Sequence, residues 1–384
     1  MPMPDAGSFG ASGPAAATTL TAPPTAALAA LCAALSSSDP ARIRELLAPG
    51  RVDWSALDDA AAEHRLGGFL YAELRARGLE SLVPPPALLS LRRTYLDQWT
   101  RAGRLLREIE RLARAFEAKA LPVLFFKGPL LTARLYAQLG SRAIHDIDFL
   151  LPDARAMPAC DAVLASLGYR RVSRLVLPLR WSRAWLYQLE YRSPAFALEP
   201  HWALTNHPSI RLDTARMWRE REAVAAADGG TLPMLSDEYT LVANLLSIPA
   251  DLQNASLKLR TWLELFLLWR RLPADTDWAA FWERRRGERT LRLALASFAV
   301  LRELFGPKGL ERASASAPRV ESESLVAALR AAAVGPAMAE WPRRRLALGL
   351  FETPLPLSLG WWAATLPGRA LAHPALTLAR LRRW

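Results

Sequence analysis

Two cysteines, Cys32 and Cys160, are all that the 384 residues contain, and neither lies at ligand spacing from a histidine. Their scarcity excludes a disulfide-stapled scaffold and a cysteine-based zinc site. It suits a reducing compartment, so a cytoplasmic location is expected. Lysine is also rare: Lys119, Lys127, Lys258 and Lys308 are the only ones, and the net charge of +12 is carried almost wholly by arginine. Arginines spread along an Ala/Leu/Pro-rich chain describe a solvated surface, so nucleic acid is not the expected partner. Long apolar runs are missing as well. The best candidate, Leu346 to Leu366, is broken by Glu352, Pro354, Pro356 and Gly360, so no transmembrane segment is expected. No basic stretch leading into an apolar core marks a signal peptide, and no G-x-G-x-x-G follows a strand. The 5 histidines join no Ser/His/Asp or Cys/His arrangement.

What is present describes a folded protein. Hydrophobic residues make up 51% and charged residues 22%, enough for two or three units of about 100 to 200 residues, each with its own core. Residues 1–25 are Pro, Ala, Gly, Ser and Thr with hardly a charge and are expected to be a disordered leader. Residues 26–118 carry apolar positions at helical spacing. Between 119 and 235 the period changes. The continuous apolar run Leu121 to Phe126 predicts a buried strand, Gly128-Pro129 opens a helix to Leu139, and Asp146 to Leu151 predicts a second strand. A helix after Pro152, and strands near 169–177, 185–191 and 196–202, complete a mixed core. Helical spacing returns over 236–313, and residues 314–384 are helical, then Pro- and Trp-rich. The fold class expected is α+β.

Asp146 and Asp148 sit at i and i+2 on a predicted strand, so period two puts both carboxylates on one face and Ile147 on the other. Two acids so close repel unless they share a cation, and magnesium takes one or two carboxylates while keeping water and phosphate ligands. Just upstream, Lys127-Gly128-Pro129 joins strand to helix, where glycine permits close approach and the helix end attracts an anion. Lys127 and Arg142 add charge there. A metal-holding pair beside an anion-binding turn is the layout that phosphoryl or nucleotidyl transfer needs. Glu199, on a later predicted strand, is the candidate third carboxylate; His201 shares its face and is placed to orient a carboxylate or carry a proton. His145 adjoins the pair but points to the other face.

The string Lys127-Gly128-x-x-Leu131, with Tyr136, Arg142 and Asp146-Ile147-Asp148-Phe149-Leu150, resembles the KG-x-x-L…Y…R…D-I-D-x-L signature of the uncharacterised nucleotidyltransferase-like family of the DNA polymerase β-type superfamily. Glu199-x-His201-Trp202 resembles its E/D-x-H-W segment, His64-Arg65-Leu66 with Leu70-Tyr71 resembles its N-terminal helical repeat, and the tail from Pro354 to Arg383 its proline-rich end. The resemblance implies a small mixed-sheet polymerase β-type core flanked by N- and C-terminal helical regions. It implies a magnesium-dependent transferase in which Asp146, Asp148 and Glu199 hold Mg2+, and Lys127, Gly128, Arg142 and His201 serve the NTP, with ATP the first choice. The acceptor it implies is a small molecule, peptide or protein in a bacterial biosynthetic pathway. The chain departs from the pattern in three places. Lys127-Gly128-Pro129 replaces Gly-Ser at the phosphate turn, the stretch Leu245 to Pro249 lacks the family's histidine, and Glu264 stands for an aspartate. A second reading therefore stays open: a catalytically degenerate member that acts as scaffold for a biosynthetic protein partner. Trp361, Trp362 and Trp384 near Arg380, Arg382 and Arg383 suit either a peripheral membrane contact or a tail packed on the helices.

Overall fold

The computed structural model describes residues 23–172, 186–226, 229–319, 322–335 and 338–351. Most of the expected leader, parts of the 169–177 and 185–191 segments and the Pro/Trp-rich tail lie outside the described residues. The first helix, Pro24–Ser37, already begins inside the stretch read as leader.

Helices dominate and one mixed sheet runs through the middle. The 33-residue helix Pro85–Glu117 starts on prolines, whose fixed φ suits a first turn. It buries Leu91, Tyr95, Ala102, Leu105, Ile109, Leu112 and Phe116 at steps of three, four and seven residues, so these side chains share one face. At its C-terminal end that face reaches the sheet through Phe116. The strands are β1 (Leu124–Phe125), β2 (Asp146–Leu150), β3 (Arg170–Arg171), β4 (Tyr191–Arg192), β5 (Ala197–His201), β6 (Glu222–Ala225) and β7 (Thr231–Met234), in the order β3-β4-β5-β2-β1-β7-β6. β2 runs antiparallel to β1 and parallel to β5, in a register that pairs Asp146 with Ala197, Asp148 with Glu199 and Leu150 with His201. Ile147 and Phe149 point the other way. Phe149 is fully buried, with its ring 5.1 Å from Phe116 of the long helix and 6.0 Å from Phe125 of β1. This packing pins β2 and leaves its acidic face free for chemistry.

Three expectations are corrected. The strand predicted over Leu121 to Phe126 shrinks to Leu124–Phe125, in keeping with Pro122, which has no N–H to give to a ladder. The helix from Gly128 ends at Leu135, not Leu139, because Tyr136 turns extended to bury its ring against Phe69, at 6.1 Å. The β6-β7 hairpin was not anticipated; Pro233 and a half-exposed alternation hide its pattern.

The helices before and after the sheet pack on one another. Pro24–Ser37 lies against Leu259–Arg271 and Leu291–Phe305, and the backbone N–H of Leu259 donates to His64 Nδ1 at 3.1 Å. Among the described residues, no helix is long and apolar enough to cross a membrane.

Candidate active site

The parallel pairing of β2 with β5 assembles the site. In-register neighbours share a face, so Asp148 and Glu199 stand side by side, with Asp146 and His201 two residues along their strands. Candidate ligand atoms of Asp148, Glu199 and His201 all lie within 4.8 Å of one another. His201 Nε2 is 3.1 Å from Asp148 Oδ1 and 3.8 Å from Glu199 Oε2, and Gln188 donates its side-chain N–H to Glu199. The His201 ring is held edge-on by Phe126, 5.0 Å away. Asp146 is outside this compact group but lines the same cavity, which has a volume of about 330 Å3.

The electrostatics show strain among the acids. Burial, then Asp148 and Asp146, push the Glu199 carboxyl up to about 8. Burial, then Asp148, raise Asp146 to about 6. Asp148 goes the other way: burial opposes its charge, but Lys127 and the His201 hydrogen bond outweigh it. Burial lowers the proton affinity of His201 against the pull of Asp148, so its imidazole is neutral at pH 7. Without a cation the cluster thus holds one firm carboxylate in Asp148, a Glu199 that keeps its proton at neutral pH, and an Asp146 that releases its proton near pH 6. Lys127 is the cation that acts most on all three acids: burial works against its ammonium, but Asp148, then Tyr187, Asp251 and Asp146, raise its proton affinity.

The turn beside the acids is built as its sequence suggests. Lys127 precedes the Gly128–Leu135 helix, and Gly128 has φ +63°, where a side chain is strained. A Cβ there would lie 3.3 Å from the Asp146 carbonyl, so the turn and β2 are in close contact. Arg142 takes a role that the sequence did not reveal. Its guanidinium is buried and grips Glu264 through Nε at 2.8 Å and Nη2 at 3.3 Å, while Nη1 donates to the Gly128 carbonyl at 3.3 Å. Arg260 lies 3.4 Å from the same Glu264 and donates to the Ala143 carbonyl at 2.6 Å. Arg142 therefore ties the helical wall to the turn, with three of its five N–H donors engaged. Glu264, the residue that departs from the family pattern, is the anchor of that tie.

The cavity has a second wall that sequence reasoning missed. Asn244, Ser247, Asp251 and Arg260 line it from the helices that follow the sheet, and Arg65 from the N-terminal side. The legible signal was three polar residues at i, i+3 and i+7 in an otherwise apolar helix. His145 also reaches the cavity rim despite its outward register.

The model of the family described as uncharacterised nucleotidyltransferase matches residues 50–306, which span the sheet, both acidic strands and the helical wall. The chain belongs to that family and is a transferase of the nucleotidyltransferase class, with a nucleotide as the implied substrate. No curated protein matches it.

Proposed function

We propose that the protein is a magnesium-dependent nucleotidyltransferase that moves a nucleotidyl group from an NTP, ATP being the first choice, to a biosynthetic acceptor. The observation that carries this reading is the side-by-side placement of Asp148 and Glu199 on parallel strands, with Asp146 on the same face, beside the Gly128 turn. The donor set fits a hard divalent cation: it is rich in carboxylate oxygen, and burial, then the neighbouring carboxylates, raise the proton affinities of Asp146 and Glu199, a strain that a cation would relieve. Asp146, Asp148 and Glu199 would hold the metal, which would supply charge neutralisation at the transferring phosphate. His201, donating from Nε2, orients Asp148. Lys127 and the backbone N–H groups after Gly128 bind the triphosphate and help align it for in-line attack. Arg142 positions the turn through the Gly128 carbonyl.

The test is a titration of the purified protein with each of the four NTPs, with and without magnesium, followed by melting temperature, since a ligand that binds only the native state raises it. A magnesium-dependent rise that disappears in Asp148→Asn supports the reading. A chain that responds to no NTP is the degenerate scaffold.

A further inference from the structure

The Asp237–Gln253 helix buries apolar side chains along most of its length, yet Asn244, Ser247 and Asp251 fall on one of its faces, and all three line the cavity. Their hydrogen-bonding capacity is one-sided. Asn244 Nδ2 donates to the Thr240 carbonyl at 2.9 Å, which only the amide nitrogen can do, so Oδ1 is the atom left over; no described residue bonds to it. Ser247 spends its single hydrogen on the Asn244 carbonyl at 2.7 Å. Asp251 accepts one bond, from Ser256 Oγ at 3.1 Å, and keeps lone pairs to spare. Among these three side chains only the second Asn244 N–H is left as a donor, while all three keep acceptor lone pairs, so a ligand seated there must bring hydrogens and can also accept one.

Charge narrows the class. Lys127, Arg260 and Arg65 are the cations that act on the Asp251 carboxyl, and all three line the same cavity. These cations offset the Asp251 carboxylate, so the ledge calls for no added counter-charge, and an anion seated on it would meet a row of oxygen lone pairs. Neutral hydroxyls suit both constraints.

We infer that Asn244, Ser247 and Asp251 form a ledge that binds neighbouring hydroxyls of a sugar-type group in the cavity. The inference rests on the nucleotidyltransferase reading of the same cavity and deepens it: the hydroxyls belong either to the ribose of the nucleotide or to a polyol acceptor.

The experiment compares the wild-type chain with a Ser247→Ala, Asp251→Asn double variant, and uses Ser247→Ala alone if the pair fails to match the wild-type circular dichroism. Dissociation constants for Mg-ATP and Mg-2′,3′-dideoxy-ATP are measured by calorimetry, and free D-glucose is tested by saturation-transfer NMR. If the ledge reads ribose, ATP binds about tenfold tighter than the dideoxy analogue to wild type, and the ratio collapses toward one in the variant. If it reads the acceptor, the two nucleotides bind alike, and glucose signals seen with wild type vanish in the variant. Equal nucleotide affinities with no glucose signal overturn the ledge. A wild-type chain that binds neither nucleotide overturns the nucleotidyltransferase reading instead, and the glucose arm still decides the ledge on its own.

Discussion

At the Glu199 side chain, the cost of assembling the site is visible as a proton held where a carboxylate is needed. Glu199 and Asp146 titrate at about 8 and about 6 in the folded chain, above ordinary values of 4.5 and 3.8. For raised groups the stabilising contribution is complete below the unfolded value and is lost as pH climbs through the folded one. In chelator, the melting temperature should therefore fall between about pH 5 and 8, and Glu199→Gln should flatten that slope and melt higher than wild type at pH 8. Asp148 has the opposite sign: its depressed carboxyl stabilises above about pH 4 and gives that up only in stronger acid. A chelated wild type whose melting temperature is level from pH 5 to 8 would contradict the cluster as drawn. The Arg142–Glu264 pair gives a second residue-scale prediction. Both side chains are buried, so Arg142→Met leaves the Glu264 carboxylate with Arg260 alone, 3.4 Å away, and should cost about 3 kcal/mol in urea unfolding. Adding Glu264→Leu should recover only part of that loss, because Arg260 then loses its carboxylate partner.

Among the elements, the turn and the two acidic strands behave differently as sequence signals. Gly128→Ala should cost about 1–2 kcal/mol for its left-handed φ and should also weaken nucleotide binding, because the new Cβ presses on the Asp146 carbonyl 3.3 Å away. Gly168→Ala is the control: φ is +85°, but nothing lies within 4 Å, so stability falls and binding holds. If both variants lose binding equally, the contact between turn and β2 carries no function. The acidic face of β2 was legible because Asp146-Ile147-Asp148-Phe149 alternates over a buried core, and Glu199 with His201 was legible by the same rule. Their register was not, since nothing local tells a strand at 146 which residue of a strand at 197 it will face. The tie from Arg142 to Glu264 was hidden for a related reason: the partner lies 122 residues away, and a long-range ion pair leaves no mark beside an arginine in an arginine-rich chain. The polar ledge left a mark, but a weak one, because helical polar residues are ordinarily solvated.

Across the whole molecule, the cavity depends on helices from both ends of the chain meeting over the sheet, and His64 is where they touch. Its Nδ1 accepts from the Leu259 backbone N–H, one residue before Arg260 enters the cavity, and the ring contacts Thr25 Oγ1 at 3.2 Å. Accepting requires Nδ1 to be bare, and burial, the largest influence on this ring, keeps the proton affinity below the ordinary 6.5. A depressed histidine stabilises fully above its unfolded value and loses that contribution as pH falls through the folded one. The gap in unfolding free energy between wild type and His64→Ala should thus be about 1–3 kcal/mol at pH 7.5 and shrink toward zero at pH 5. The acid cluster shifts stability in the opposite direction over the same window, but it is common to both chains and cancels in the difference. A gap that stays constant with pH would mean that His64 supports the junction by packing alone, and that the helical wall with Arg260 and Asp251 reaches the cavity without that bond.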